Sequence, residues 1–200
     1  MRQKTEAKRQ AILAAAGAVF REQGFETSSV ADIAARVGGS KATIYSYFRS
    51  KEALLMEVIL SAAETRSVTV FSEVLALGDL AEGLRRVGEA HIGFISTVEA
   101  VALARLAITE GERSTLGREF YTRGPRVMIE NLATFLGESI ALGKLRAGDP
   151  QQMAESLKAL YEAGIVERHL LGDLKGQDGI DVPAHAARAV DIFMAYYGKA

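Results

Sequence analysis

The chain has 200 residues, 48% of them hydrophobic, and a mean hydropathy of +0.08, so it can bury a sizeable core and is not a disordered protein. It contains no cysteine, which excludes disulfide frameworks and thiolate metal sites and suits a reducing compartment. No apolar run approaches the ~20 residues of a membrane span, and the N-terminal MRQKTEAKRQAIL lacks the apolar stretch of a signal peptide. We therefore expect a soluble, cytoplasmic protein with no membrane partner.

The formal net charge of −1 is unevenly distributed along the chain. Residues 1–55 hold nine Lys or Arg against five Asp or Glu, a net +4, whereas the remainder holds 15 against 20, a net −5. A basic first quarter on an acidic body indicates a polyanionic partner for the first part only, although chance asymmetry would give the same counts.

The pattern is helical throughout, because the chain has only three prolines and little period-2 apolar alternation. Nine helices are predicted, over residues 3–23, 27–37, 40–47, 50–75, 79–94, 98–109, 114–142, 150–171 and 182–198. The spacing of Ser29 and Asp32 indicates a capping box at the start of the second helix, and Gly38 is predicted to end it. We expect the seventh helix to be kinked or split at Gly124 and Pro125.

The second and third helices, with a glycine turn of about four residues between them, have the layout of a DNA-reading helix-turn-helix. The second helix of such a unit enters the major groove, so its exposed residues must be small or polar. Ile44 and Phe48 recur at i and i+4 and should anchor this helix inward. Residues with a suitable size and polarity for the exposed side are Ser40, Lys41, Ala42, Thr43, Tyr45, Ser46 and Tyr47. Lys51 offers a charge close to a helix N-terminus, where a phosphate is favoured.

The segment GFETSSVADIAARVGGSKATIYSYFRSKEALL, residues 24–55, closely resembles the DNA-binding signature of TetR-family transcriptional regulators. The resemblance rests on the aromatic residue after Gly24, the Thr/Ser entry to the second helix, the Tyr-x-Tyr-Phe run and the Ser-Lys-Glu-Ala-Leu opening of the fourth helix. The later stretch FYTRGPRVMIENLATFLGESIALGKLRAGDP resembles the ligand domains of the AefR-like subgroup. Two departures from the family pattern are Gly39, where a hydrophobic residue is usual, and Ala42, where glycine is frequent.

The resemblance implies an all-α fold, with a three-helix DNA-binding domain over residues 1–49 and a helical bundle for ligand binding and dimerisation over residues 50–200. It implies a homodimer that binds a double-stranded DNA operator and releases it when a small apolar or amphipathic effector binds the bundle. We expect a repressor, and we expect neither a cofactor nor a metal.

The family roles, carried over residue by residue, assign a contact type to most positions of the motif. They give phosphate contacts at Thr27 and Ser29, base-edge readers at Lys41, Ala42 and Tyr45, lesser base contacts at Thr43 and Ser46, and phosphate clamps at Tyr47 and Lys51. Arg2 and Lys4 are interpreted either as a basic arm that reaches the DNA or as a solvated tail.

The ligand contacts and the dimer interface are less closely specified. His91, Arg105 and Tyr121 are the candidate ligand-binding residues, with a hydrogen-bonded core histidine as the alternative for His91. The last two predicted helices have apolar stripes that we assign to the dimer interface, the alternative being that both stripes are intramolecular core. The residues assigned to the interface are Met153, Leu157, Leu160, Tyr161, Ile165, Val190, Phe193, Met194 and Tyr197.

Two other functional classes compete with a ligand-responsive regulator. An enzyme is disfavoured because His91, His169 and His185 have no metal-ligand spacing and the chain has no Ser-His-Asp or glycine-rich phosphate motif. The other alternative is a helix-turn-helix regulator that has no small-molecule effector and is either controlled by a protein partner or constitutive. The sequence leaves this alternative open.

Overall fold

The computed structural model of the chain describes residues 5–199, apart from the side chains at positions 68, 72, 73 and 75–77. Within that range it consists of eleven α-helices and no strand, which confirms the predicted all-α class. The helices are α1 (Glu6–Gln23), α2 (Val30–Val37), α3 (Lys41–Tyr47), α4 (Lys51–Leu77), α5 (Leu80–Ile95), α6 (Val98–Thr109), α7 (Leu116–Arg123), α8 (Pro125–Ala141), α9 (Pro150–Glu162), α10 (Val166–Leu171) and α11 (Val182–Tyr197).

Local capping explains where α2 begins and ends and where α3 begins. Ser29 and Asp32 form both hydrogen bonds of a capping box at the start of α2. Gly38 ends α2 with φ of +66°, a left-handed conformation that glycine adopts without steric cost. Ser40 then accepts a hydrogen bond from the Thr43 N–H at 3.1 Å and caps α3. The turn and both flanking helices are therefore set by residues inside the motif itself.

Two of the predicted long helices are interrupted. The split before Pro125 is confirmed, since α7 ends at Arg123 and Pro125 is the first residue of α8. The single helix predicted over residues 150–171 is wrong. It breaks between α9 and α10, where Gly164 has φ of +72° and the Ile165 N–H donates to the Glu162 carbonyl in a tighter i→i+3 turn. The apolar periodicity continues across this break, so the sequence pattern does not reveal it.

The chain forms two compact units. The first contains the described residues up to Ala62 together with Val98–Phe120, and the second contains Ala63–Thr97 and the described residues from Tyr121 onward. Helix α4 begins in the first unit and ends in the second. The first unit is built around buried apolar side chains of α1 to α4, including Ile12, Ala16, Phe20, Ile33, Ile44, Leu54 and Leu55.

The second unit has its core at the crossing of α5 and α9. The Tyr161 ring is fully buried there, and its hydroxyl donates to the Leu84 carbonyl at 2.7 Å. Burial raises the pKa of Tyr161, because the charged phenolate would be desolvated. A Cβ at Gly88 would lie only 2.5 Å from Cε1 of this ring, so the close approach of the two helices requires glycine at position 88.

The predicted dimer stripe contributes to this core instead of facing solvent. Six of its nine side chains are buried within the chain, and the other three pack against the same cluster. The buried six are Met153, Leu157, Tyr161, Ile165, Val190 and Phe193. These six side chains expose almost no surface to a partner chain, so their assignment to the dimer interface is corrected. They belong to the chain's own core, which was the alternative interpretation of the stripe. The large apolar side chains that α10 and α11 do expose are Leu171, Ile192 and Tyr196, at 77%, 52% and 69%.

No single helix among the described residues is long and apolar enough to cross a membrane, and α5 and α6 reach that length and composition only when they are counted together across the break between them.

Candidate nucleic-acid interface

Helix α3 is anchored by its apolar side and exposes the opposite side. Ile44 and Phe48 are buried, as the i, i+4 spacing predicts. Lys41, Ala42 and Tyr45, the predicted base-edge readers, are exposed, with Tyr45 at 51%. Because residues separated by three or four positions share one side of a helix, these three form a continuous surface near the start of α3.

The hydroxyl groups around this surface are engaged in local hydrogen bonds. The Ser40 Oγ lies 3.0 Å from the Thr43 Oγ1, in addition to its capping role. The Ser46 hydroxyl donates to the Thr43 carbonyl at 2.7 Å. Since a hydroxyl has two acceptor lone pairs as well as its single donor, the Ser46 hydroxyl can still accept a hydrogen bond from an outside donor. These bonds restrict the side-chain rotamers of Ser40, Thr43 and Ser46.

The entry to α2 carries the two predicted phosphate contacts. Ser29 caps the helix, and its hydroxyl and backbone N–H reach the Asp32 Oδ2 at 2.6 and 3.0 Å. The hydrogen bonds from Ser29 lower the pKa of Asp32, so this carboxylate stays ionised. The Thr27 hydroxyl donates to the Gln23 carbonyl and is exposed. Both residues therefore occupy fixed positions in the loop between α1 and α2.

Helix α1 holds the other end of the motif in place. The Thr5 N–H donates to the Tyr47 hydroxyl oxygen at 3.0 Å, and the Lys8 ammonium donates to the Val37 carbonyl at 3.3 Å. The second contact places a cation at the C-terminus of α2, where the helix dipole favours positive charge. Tyr47, predicted as a phosphate clamp, thus also ties the end of α3 to the start of α1.

Arg9 links three helices of the first unit. Its guanidinium forms an ion pair with Glu57 of α4, and it lies 5.7 Å from the centroid of the Phe48 ring at the end of α3. A second carboxylate, that of Glu6, lies 3.7 Å away. A guanidinium over an aromatic ring gains a cation–π attraction. The ion pair between Arg9 and Glu57 was not predicted from the sequence, because helical spacing carries no information on two residues that are 48 positions apart.

Lys51, the other predicted phosphate clamp, points toward the loop between α1 and α2. Its ammonium lies 2.8 Å from the Phe25 carbonyl oxygen, 3.1 Å from that of Ser28 and 3.5 Å from that of Glu26. It also lies 4.3 Å from the centroid of the Phe25 ring. No sequence motif signalled these contacts, although an aromatic residue after Gly24 was part of the recognised pattern.

The departure at Gly39 has no backbone cause. Its φ lies outside the left-handed range, unlike that of Gly38. A Cβ at position 39 would lie 3.5 Å from Val37 Cγ1 and 3.8 Å from Thr43 Cβ, which are ordinary contact distances. A side chain would therefore fit here and pack on both neighbours. Arg2 and Lys4, the candidate arm, lie outside the described residues.

The three candidate ligand-binding residues are divided between the two units. Arg105 is an exposed residue of α6 in the first unit. His91 and Tyr121 belong to the second unit, where Tyr121 is 55% exposed on α7. The assignment of these residues to an effector site stays a prediction.

His91 belongs to a charged cluster at the end of α9. Its Nε2 lies 2.9 Å from Glu162 Oε1, and the Lys158 ammonium donates to Glu162 Oε2 at 2.7 Å. Burial opposes ionisation of Glu162, but the His91 hydrogen bond and the Lys158 charge outweigh it and lower the pKa of this carboxyl. The cluster ties α5 to α9, as the hydrogen-bonded alternative for His91 anticipated.

An open groove runs beside this cluster along α9 and α10. It is mostly apolar, with two carboxylates, and its lining residues are Ala159, Glu162, Ala163, Gly164, Val166, Glu167, Leu170 and Leu171. Among the described residues, no group of three His, Asp or Glu side chains is placed to hold a metal ion.

Comparisons with known proteins cover nearly the whole chain. Residues 12–58 match the family model for bacterial regulatory proteins of the tetR family, and residues 82–199 match that of the AefR-like transcriptional repressor C-terminal domain. The HTH-type transcriptional regulator YdeS of Bacillus subtilis (strain 168) is 42% identical over 65 residues, and this match spans about a third of either chain, 32% of this one and 33% of YdeS.

Solved structures extend the similarity to the full length. A Mesorhizobium loti MAFF303099 protein described as a TetR-family transcriptional regulator is 27% identical, with a TM-score of 0.81 and coverage of 98% of this chain and 100% of its own. The flavonoid-responsive regulator FrrA is 29% identical, with a TM-score of 0.63 and coverage of 97% and 98%. Members of this family are transcriptional regulators and not enzymes. With its N-terminal helix-turn-helix and its helical C-terminal domain, the chain belongs to the TetR family of bacterial transcriptional regulators, with a C-terminal domain of the AefR-like type.

Proposed function

We propose that the protein is a homodimeric repressor that binds a double-stranded DNA operator through α3 and releases it on binding a small effector. The observation that carries the DNA-binding part is the exposed surface of Lys41, Ala42 and Tyr45 on a capped helix that Ile44 and Phe48 anchor. Lysine can read guanine in the major groove, and the Ala42 methyl or the Tyr45 ring can pack on a thymine methyl. Thr27 and Ser29 supply phosphate contacts that fix the register.

The functional division proposed here assigns residues 1–49 to DNA binding and residues 50–200 to effector binding and dimerisation. Two copies are needed because a single α3 covers only one half-site, and two of them fit successive major grooves ~34–36 Å apart. The exposed Leu171, Ile192 and Tyr196, together with the groove along α9 and α10, support dimerisation through this part of the chain, because exposed large apolar side chains on neighbouring helices favour an interface. The proposed location is the cytoplasm, where the DNA is.

An effector acts through the second unit in this proposal. FrrA is flavonoid-responsive by its description, which supports a small, largely apolar effector here as well. The effector binds more tightly to a conformation of the dimer in which the two α3 helices no longer match the DNA. By linkage it therefore weakens operator affinity. A difference of a few kcal/mol between the effector's binding free energies for the two conformations suffices.

A regulator without a small-molecule effector is the second candidate. The tight packing of Tyr161 against Gly88 favours it, because the crossing of α5 and α9 holds no space for a ligand. A thermal-shift screen of aromatic and acyl compounds separates the two candidates. The effector proposal expects a compound that raises the melting temperature and also dissociates the DNA complex.

The DNA-binding proposal is tested by selecting bound sequences from a random double-stranded DNA pool and measuring the mass of the complex by light scattering. We expect a palindromic sequence, with half-sites centred about one helical turn apart, bound by at least one dimer. The Lys41→Ala variant should recover a site with relaxed preference at one position of each half, while Arg21→Ala, which removes an exposed cation far along α1, should recover the wild-type site. A pool without enriched sequences would refute the proposal.

A further inference from the structure

The donors of the Lys51 ammonium group are all directed at the protein itself. A lysine ammonium has three N–H donors and no acceptor, and three main-chain carbonyls surround this one, those of Phe25, Ser28 and Glu26 at 2.8, 3.1 and 3.5 Å. The Phe25 ring lies beneath it, 4.3 Å from the nitrogen to the centroid, and adds a cation–π attraction. A phosphate oxygen could be bound by this ammonium only if one of these contacts were given up.

The loop that Lys51 holds carries the predicted phosphate contacts Thr27 and Ser29. The Ser28 side chain tightens the same loop, since its hydroxyl donates to the Phe25 carbonyl at 2.7 Å. In a trans peptide the N–H points away from the C=O. Carbonyls that converge on Lys51 therefore turn the N–H groups of the following residues, Glu26, Thr27 and Ser29, away from it. The Ser29 N–H accordingly reaches Asp32 in the capping box.

The converging carbonyls also need a cation. Three carbonyl oxygens that face one point concentrate negative partial charge, and without Lys51 this charge would repel a phosphate and open the loop. The ammonium offsets it and keeps the loop closed against the first turn of α4, where Lys51 is the first residue. The same side chain thus sets the loop conformation before DNA is bound.

We propose that Lys51 is a positioning residue, which fixes the loop bearing Thr27 and Ser29 through the carbonyls of residues 25, 26 and 28, and that it is not itself a phosphate contact. This inference rests on the proposed DNA-binding function of the first unit. It replaces the role that the family resemblance implied for Lys51. Phosphate binding is left to the predicted contact Tyr47 and to the loop that Lys51 orders, where the exposed Thr27 hydroxyl can exchange its bond to the Gln23 carbonyl for one to a phosphate oxygen.

The decisive variant is Lys51→Arg, which keeps the charge. A phosphate contact would survive this exchange, because a guanidinium binds phosphate at least as well as an ammonium does. Three carbonyls converging on a compact ammonium would not be satisfied by a planar guanidinium, whose donors diverge. We therefore expect Lys51→Arg to weaken operator binding about tenfold, the size of one charge-assisted hydrogen bond, with an unchanged salt dependence. Lys51→Met should weaken it at least as much, again with an unchanged slope of log affinity against log salt.

The assay is fluorescence anisotropy at several salt concentrations, well below the melting temperature of each variant, with Arg21→Met as the control for loss of an exposed cation from the same unit. Operator affinity retained in Lys51→Arg, or a slope reduced by about 0.9 in Lys51→Met, would identify a phosphate contact and overturn the proposal. An unchanged affinity with only a lower melting temperature would show a merely structural role and overturn it as well.

A spectroscopic readout separates this proposal from the DNA-binding proposal on which it rests. We expect the Lys51 ammonium to give a slowly exchanging NMR signal in the free protein, shifted by the Phe25 ring and little changed by DNA. A signal that sharpens or moves only when DNA is added would contradict the proposal. If the wild-type protein binds no operator at all, the proposed function fails, whereas the signal in the free protein still reports whether Lys51 holds the loop.

Discussion

Replacing glycine by alanine is predicted to change the stability of the protein in opposite directions at two helical positions, Gly88 of α5 and Gly137 of α8. At Gly88, a new Cβ would lie 2.5, 2.9 and 3.1 Å from three atoms of the Tyr161 ring. The ring cannot withdraw, because it is fully buried and its hydroxyl is bonded to the Leu84 carbonyl. At Gly137 of α8, a new Cβ would lie 3.6 Å from Pro150 Cγ, an ordinary contact.

Alanine in place of glycine within a helix gains about 1 kcal/mol from backbone propensity. At Gly88 this gain is outweighed by overpacking of about 3 kcal/mol, so Gly88→Ala should lower the free energy of unfolding by about 2 kcal/mol. For a chain of this size the melting temperature should fall by about 4–8 °C. Gly137→Ala should keep the propensity gain and raise the melting temperature by about 2–4 °C.

The assay is thermal and urea unfolding followed by circular dichroism, with wild type and both variants measured in parallel. Combining Gly88→Ala with Tyr161→Leu, which removes the ring atoms that clash, should give a smaller loss than the sum of the two single losses. Shifts of the same sign for Gly88→Ala and Gly137→Ala would refute the packing geometry on which the prediction is based.

Three further predictions concern the DNA-binding unit and the charged cluster. Glu57→Gln should weaken operator binding about threefold to tenfold, because Arg9 loses its partner and Phe48 its support; tighter binding in anisotropy, as expected from removing an acidic charge alone, would contradict this role. Gly39→Ala should raise the unfolding free energy by about 0.4–1 kcal/mol, and a destabilised variant would show that position 39 needs glycine. Because the folded-state pKa of Glu162 is lowered, its contribution is present above the usual glutamate pKa and lost as pH falls through the folded value; Glu162→Gln should therefore be less stable than wild type at about pH 7, with a difference that shrinks as pH falls through the folded-state pKa, and a constant difference in urea titrations would exclude this.

The helix-turn-helix could be predicted closely because its determinants are local. The capping box of Ser29 and Asp32, the left-handed Gly38 and the cap at Ser40 are separated by at most a few residues from the groups they bond. The inward position of Ile44 and Phe48 follows from helical spacing alone. These local groups are enough to predict where α3 begins and which of its side chains are exposed, whereas the contacts that hold it against α1 and α4 come from outside the motif.

The errors arise where long-range contacts decide. An apolar stripe at helical spacing shows that a helix packs on something, and does not distinguish the chain's own core from a partner, which is why Tyr161 and Phe193 were assigned to a dimer interface. Gly164 lies inside a continuous stripe, so its break in the helix left no mark in the pattern. The Lys51 ammonium depends on a loop more than twenty residues earlier in the chain, and family resemblance supplied a role without supplying these contacts.

The most direct test of the account is the affinity ratio of the dimer for its selected operator and for a shuffled sequence of the same length and composition, measured by anisotropy at about 150 mM salt. The account predicts a ratio of about 10³ or more, with affinity for both sequences falling steeply as salt rises. It also predicts that Lys41→Ala reduces this ratio, because Lys41 belongs to the exposed surface of α3. Equal affinity for the two sequences, or a ratio unaffected by Lys41→Ala and Tyr45→Ala together, would contradict the claim that α3 reads the operator.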